Sequence, residues 1–179
     1  WTIDEPAVFI TFNGMAYDEE LVRRQFYWNL FESYLTNTNG NGRLDILLMM
    51  NNVAAFSPDV LNIPLFNGGP GVSLKQADIA EANGIEIGDA HDAIADCKLM
   101  ISLLEKINAK KPELIDFFLS ISTKPGIQAA VQQPGFLCLG EVFRREIFKY
   151  PVVPCGSKAP NDLMFFDLSF EPEEIFEMD

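Results

Sequence analysis

The apolar positions of this chain follow a strand-like pattern in some stretches and a helical one in others. Ala7 to Phe12 is a short apolar run rich in aromatic and β-branched residues, and it predicts a buried strand. Asn13-Gly14 breaks that run. From Asp18 to about Leu35 the period is helical: Val22, Phe26, Leu30 and Tyr34 recur every fourth residue, with Tyr27 and Phe31 alongside. Asn37 to Gly42 reads as a polar loop, and Leu44 to Met50, apolar except for Asp45, reads as a second strand. Ser57 to Gly71 is loop-like.

Leu74 to Ala82 predicts a short helix stopped by Asn83-Gly84. The clearest helix runs from Asp92 to about Asn108, with Cys97, Met100, Ile101 and Leu104 as its expected apolar face. Pro112 opens another, carrying Leu114, Ile115, Phe118 and Leu119, because proline suits a first helical position. After Lys124-Pro125-Gly126 the texture changes. Phe136 to Leu139, Val142 to Phe148 and Leu163 to Leu168 are short β-like runs. A boundary is therefore expected near residues 122 to 130, dividing the chain into 1–125 and 126–179.

Composition changes this picture little. Apolar residues make up 48% of the 179 and charged residues 22%, a globular balance that argues against disorder. No apolar run approaches the roughly 20 residues of a membrane span. Cys97, Cys138 and Cys155 are scattered, without zinc-type spacing, and read as reduced cytoplasmic thiols. The formal net charge of −13 argues against a nucleic-acid partner, since phosphates attract lysine and arginine. That argument is weak, because a local basic groove can coexist with an acidic body.

Candidate chemistry concentrates in two segments. The first is Gly88-Asp89-Ala90-His91-Asp92-Ala93-Ile94-Ala95-Asp96. Extending the long helix backwards places Asp96 on the stripe of Met100 and Leu104, where a carboxylate is costly unless paired, protonated or metal-bound. On one continuous helix, His91 and Asp96 would point about 140° apart. They cooperate better with His91 on the loop before the helix, where its imidazole can take a proton from water. On residues alone, the other reading is that His91 and Asp92 begin a helix and Asp96 meets a distant cation. The second segment, Asn13-Gly14-Met15-Ala16-Tyr17-Asp18, joins the first strand to the first helix. Asp18 suits a cap and dipole partner there, and equally a metal ligand in the first turn.

Asn-x-x-x-Tyr-Asp before a helix, then Ala-His-Asp-Ala-x-x-Asp, resembles the second and third motifs of the DEDDh 3′→5′ exonucleases. Within that superfamily the pattern is most similar to the bacterial exonuclease I family. Ser73-Leu74-Lys75 through Ile79-Ala80-Glu81-Ala82-Asn83-Gly84-Ile85, and Asp18-Glu19-Glu20 with Arg24 and Phe26-Tyr27-Trp28, carry the resemblance further. It is good from about Val8 to Phe118 and continues weakly beyond.

The resemblance implies an α/β, ribonuclease H-like exonuclease fold, followed by the start of a β-rich, SH3-like domain. It implies hydrolysis of single-stranded DNA to mononucleotides, two Mg²⁺ or Mn²⁺ ions, and single-stranded-DNA-binding protein as a partner, with no membrane. Asp96 and Asp18 correspond to metal-binding carboxylates and His91 to the base. Asn13 and Tyr17 occupy supporting positions in the second motif, and Lys75 and Arg24 correspond to phosphate contacts. The family's first motif, Asp-x-Glu, has no counterpart before Asn13, since Asp4-Glu5 lacks the spacing. A fragment is therefore expected, inactive alone and self-associating through Phe9, Phe12, Phe26 and Phe31. Rival readings are a DEDDh exonuclease acting on RNA or in proofreading, and a non-catalytic nucleic-acid-binding or interaction fragment.

Overall fold

The computed structural model describes residues 5–88, 92–159 and 162–173. Strand β1 (Val8–Thr11) pairs in parallel with β2 (Gly42–Asp45), and helix α1 (Asp18–Trp28) lies in the crossover between them. Parallel neighbours require such a long connection. β1 is shorter than expected and is not buried: along it, exposed and half-buried residues alternate. α1 is also shorter than its periodicity suggests. It stops at Trp28, and Leu30, with φ 59, turns the chain out of the helix and is 94% exposed. A single 3₁₀ turn, Leu35–Asn37, follows.

The run Leu44 to Met50 is not one strand. The strand ends at Asp45, whose side chain accepts the Leu47 N–H and caps helix α2 (Ile46–Phe56). Ile46, Met49, Met50 and Val53 are spaced i, i+3, i+4, i+7 and all bury, so the helical period extends past the polar pair Asn51-Asn52. That pair has its own task. Asn52 Oδ1 accepts the Gly140 N–H at 3.0 Å, and Asn51 Oδ1 accepts that of Val142 at 3.1 Å. A Cβ on Gly140 would press into Ala55 and the α2 backbone.

Helices α3 (Gln76–Ala82), α4 (Ala93–Lys110) and α5 (Pro112–Ser120) complete the core around α2. α4 is rotated from the expected face: Leu99, Leu103 and Ile107 are buried, Met100 and Leu104 flank them, and Cys97 and Ile101 turn to solvent. Phe118 of α5 is buried as its spacing predicts, with Leu114 and Ile115 packed beside it. A helix not expected, α6 (Lys124–Val131), begins where the sequence suggested a break. Thr123 caps it by accepting the Gly126 N–H, and Pro125 sits in its first turn.

Strands β3 (Leu137–Phe143), β4 (Glu146–Ala159) and β5 (Asp162–Asp167) form an antiparallel sheet. The β-like run Val142 to Phe148 is in fact the β3–β4 hairpin, with Phe143 opposite Glu146 and Arg144-Arg145 as its two-residue turn. Both arginines have positive φ, 50 and 74, as a primed turn requires. No helix among the described residues is long and apolar enough to cross a membrane.

Candidate active site

Functional loops in parallel α/β structures gather beyond the carboxyl ends of the strands. Thr11 and Asp45 are paired at that end of β1 and β2. Asp45 is 4% exposed. Its Oδ1 accepts the Asn13 N–H at 2.7 Å and the Leu47 N–H at 3.0 Å, and its Oδ2 accepts the Met15 N–H at 3.1 Å. Asn13, at φ 61, makes the sharp exit from the strand, a conformation asparagine tolerates better than most residues. Gly14 is buried, and any Cβ there would collide with the Thr11 side chain. The Gly14 carbonyl accepts the N–H groups of Tyr17 and Glu19, which closes the turn into α1.

Tyr17, not Asp18, holds the cap position of α1. It is exposed and makes no side-chain cap bond. Asp18 is the first helical residue, and with Glu19 and Glu20 it puts three carboxylates where the helix dipole favours them. Asp18 is exposed, whereas Glu19 is only 5% exposed. Glu19 Oε2 receives Arg43 Nη1 at 2.6 Å and Arg23 Nη2 at 3.3 Å, tying α1 to β2. Arg24 stands on the open side of the helix and pairs with Glu20 at 3.0 Å.

Asp92 caps α4 by accepting the Ile94 N–H. Asp96 lies in the first turn of α4, and its backbone carbonyl accepts Gln76 Nε2 at 2.7 Å. Its side chain is exposed, because the buried stripe of α4 begins only at Leu99. Gly88 packs against Ala95, and a shallow cleft of about 300 Å³ opens beside Asp92, Ala95 and Lys98. His91 lies outside the described residues. Among the described residues, no group of three or more His, Cys, Asp or Glu is placed to hold a metal. Asp18 and Asp96 offer the hard oxygen donors that Mg²⁺ takes, but the described residues do not complete a metal site.

Lys75 sits just before α3, with its Nζ 6.0 Å from the Phe66 ring centroid. The Arg145 guanidinium lies over the same ring at 3.3 Å. The Val72 N–H donates to the Arg145 carbonyl, so the loop clamps the hairpin tip. A cleft of about 340 Å³ lies between them. Arg144 stacks on Phe143 and Lys149 on Phe56. Sequence reasoning missed this cluster of cations and rings. Its only signal was a pair of adjacent arginines inside the β-like run Val142 to Phe148 of an acidic chain. It also missed Asp45, visible only as an acid interrupting an apolar run.

No family model matches the chain. It is 35% identical over 119 residues to the exodeoxyribonuclease I of Buchnera aphidicola subsp. Baizongia pistaciae, a stretch covering 66% of this chain and 24% of that protein. It is 30% identical over 125 residues to that of Escherichia coli K12, covering 69% and 26% respectively. The crystal structure of E. coli exonuclease I in complex with a dA16 oligonucleotide superposes on 96% of this chain and 38% of that one, with a TM-score of 0.76 and 25% identity. The chain thus spans about a quarter of the length of the curated relatives it matches. Across that stretch it is similar in both sequence and fold to bacterial exonuclease I, a nuclease of ribonuclease H-like fold.

Proposed function

We propose that the protein carrying this chain is a cytoplasmic, metal-dependent 3′→5′ exodeoxyribonuclease that hydrolyses single-stranded DNA to mononucleotides. The observation that supports this best is the similarity to exonuclease I over most of the chain, in a fold that E. coli exonuclease I presents with a bound oligonucleotide. In this reading residues 1–125 belong to the exonuclease domain, and 126–179 begin an SH3-like β domain. Mg²⁺ or Mn²⁺ is the proposed cofactor, with Asp18 and Asp96 among its ligands. Single-stranded-DNA-binding protein is a proposed partner.

The chain's own residues have separable tasks. His91, as a neutral imidazole, takes a proton from the attacking water. The water oxygen bonds phosphorus as the P–O3′ bond breaks, and the proton passes to the leaving 3′-oxygen. Asn13 shapes the turn that presents Asp18, and Tyr17 offers an exposed ring beside it. Lys75 and Arg145 supply positive charge for phosphates on an otherwise acidic protein. The Glu20 pairing leaves Arg24 a weaker candidate for that task.

The second reading is a chain that binds nucleic acid or a partner without cleaving it. One assay separates the two. The intact natural protein that carries this chain, given Mg²⁺ and a 5′-labelled single-stranded oligonucleotide, should shorten it progressively from the 3′ end and release mononucleotides. Retention of the full-length strand with tight binding would favour the second reading.

A further inference from the structure

Asp18 is exposed, yet both chain segments that flank it are anchored to one strand. On its N-terminal side the loop hangs from Asp45, and on its C-terminal side Glu19 is held by Arg43. Arg43 and Asp45 are two residues apart on β2 and so project to the same face. We propose that Asp45, with Arg43 as the second anchor, is a positioning residue for Asp18 in the nuclease site. The inference rests on the reading of Asp18 under the proposed function.

Capping alone does not account for Asp45. A cap needs one acceptor for an amide in the first turn, and serine, threonine or asparagine provides it about as well. Asp45 meets that need with its bond to Leu47 and then spends both oxygens on two amides of a distant segment, Asn13 and Met15. A buried carboxylate left without those amides would be costly, and the amides without the carboxylate equally so. The loop between them has no slack. Asn13 is in the left-handed region, Gly14 has no room for a Cβ, and the Gly14 carbonyl already holds Tyr17 and Glu19. Freeing the Asn13 and Met15 amides therefore moves the start of α1, and Asp18 with it.

The test uses the intact natural protein. Asp45→Ser keeps an acceptor for the Leu47 amide but is too short to hold the loop. Asp45→Asn keeps one accepting oxygen and loses the bond to Met15. The expected result for Asp45→Ser is a fall in kcat of about tenfold or more, since misplacement of a catalytic group by about 1 Å has effects of that order. KM for the oligonucleotide should stay within about twofold, as expected when uniform binding is unchanged. Hydrogen exchange at the Asn13 and Met15 amides should speed up, and Asp45→Asn should show a smaller loss of the same kind. A folded Asp45→Ser protein with wild-type kcat, or with its loss wholly in KM, overturns the inference. If Asp45→Ser does not fold, wild-type kcat in Asp45→Asn overturns it equally. Asp18→Asn, measured in parallel, separates the two levels: wild-type turnover there would overturn the site reading itself, not only the role of Asp45.

Discussion

Helices α1 and α2 have the same length, eleven residues, and both carry apolar residues at helical spacing, yet they are held in different ways. α2 buries Ile46, Met49, Met50, Val53, Ala54 and Ala55. α1 buries one residue, and that residue is Glu19. The apolar side chains of α1 and its exit, among them Leu21, Val22, Tyr27, Trp28, Leu30 and Phe31, are exposed. Periodicity states which face is able to bury; whether it does depends on what lies opposite. α2 has β3 and the other core elements opposite it, while α1 meets β2 through an ion pair.

This contrast is easiest to break in the core. Met50→Ala, at a position with no solvent exposure, should destabilise the chain by about 2–5 kcal/mol in urea unfolding, the usual range for truncating a buried side chain. A cost below about 1 kcal/mol would mean that α2 is no better packed than α1.

The next effect belongs to α1. Glu19→Ala should cost about 1–3 kcal/mol, because it leaves Arg43 and Arg23 half-buried without their acceptor. Leu30→Ser should stay within about 0.5 kcal/mol despite removing a large apolar group. If the order of these two were reversed, the apolar exit of α1 would be its real anchor.

Exposed apolar side chains drive association, so the chain should self-associate in sedimentation. The expected patch differs from the one the sequence suggested. Phe9, Phe12 and Phe26 are half-buried, and of those four only Phe31 is exposed, beside Tyr27, Trp28 and Leu30. Replacing Trp28 and Phe31 by serine should shift the distribution toward monomer. An unchanged distribution would place the contact elsewhere.

The smallest effect lies in the second sheet. The Tyr150 phenol is pushed above its ordinary value by desolvation and then by Glu141, whose Oε2 accepts its O–H. A raised phenol favours the neutral form in the folded chain, so its contribution to stability falls as pH rises past the ordinary tyrosine value. An ultraviolet titration, referenced to Tyr150→Phe, should show a lower midpoint in Glu141→Gln. An unchanged midpoint would remove Glu141 from the account.

The sequence made several elements legible through local chemistry. Pro112 marked the start of α5, Asp92 the start of α4 to within a residue, and Asn83-Gly84 the end of α3. It failed where distant contacts decide. The second task of Asp45, holding amides 30 and 32 residues away, leaves no trace in the residues around it. The rotation of α4 reflects which neighbours cover Leu99, Leu103 and Ile107, which its own period does not specify. An Arg-Arg turn with both residues at positive φ runs against local preference, and the hairpin there is held by Val72 and Phe66. Of the site, Asp18 was legible as an acid at a helix start, where the structure has it, whereas Asp96, expected on the apolar stripe of the long helix, is an exposed residue of its first turn. The wiring behind Asp18 was not legible, because nothing in the Asn13–Asp18 segment points to β2.

The central claim is that these two segments serve one hydrolytic site with His91 as its base. It is tested most directly by single-turnover cleavage of a single-stranded oligonucleotide by the intact natural protein and its His91→Ala variant, at saturating Mg²⁺. The account predicts a rate reduced by about 10²-fold or more, as for loss of a general base, with oligonucleotide affinity nearly unchanged. An unchanged rate for His91→Ala would contradict it.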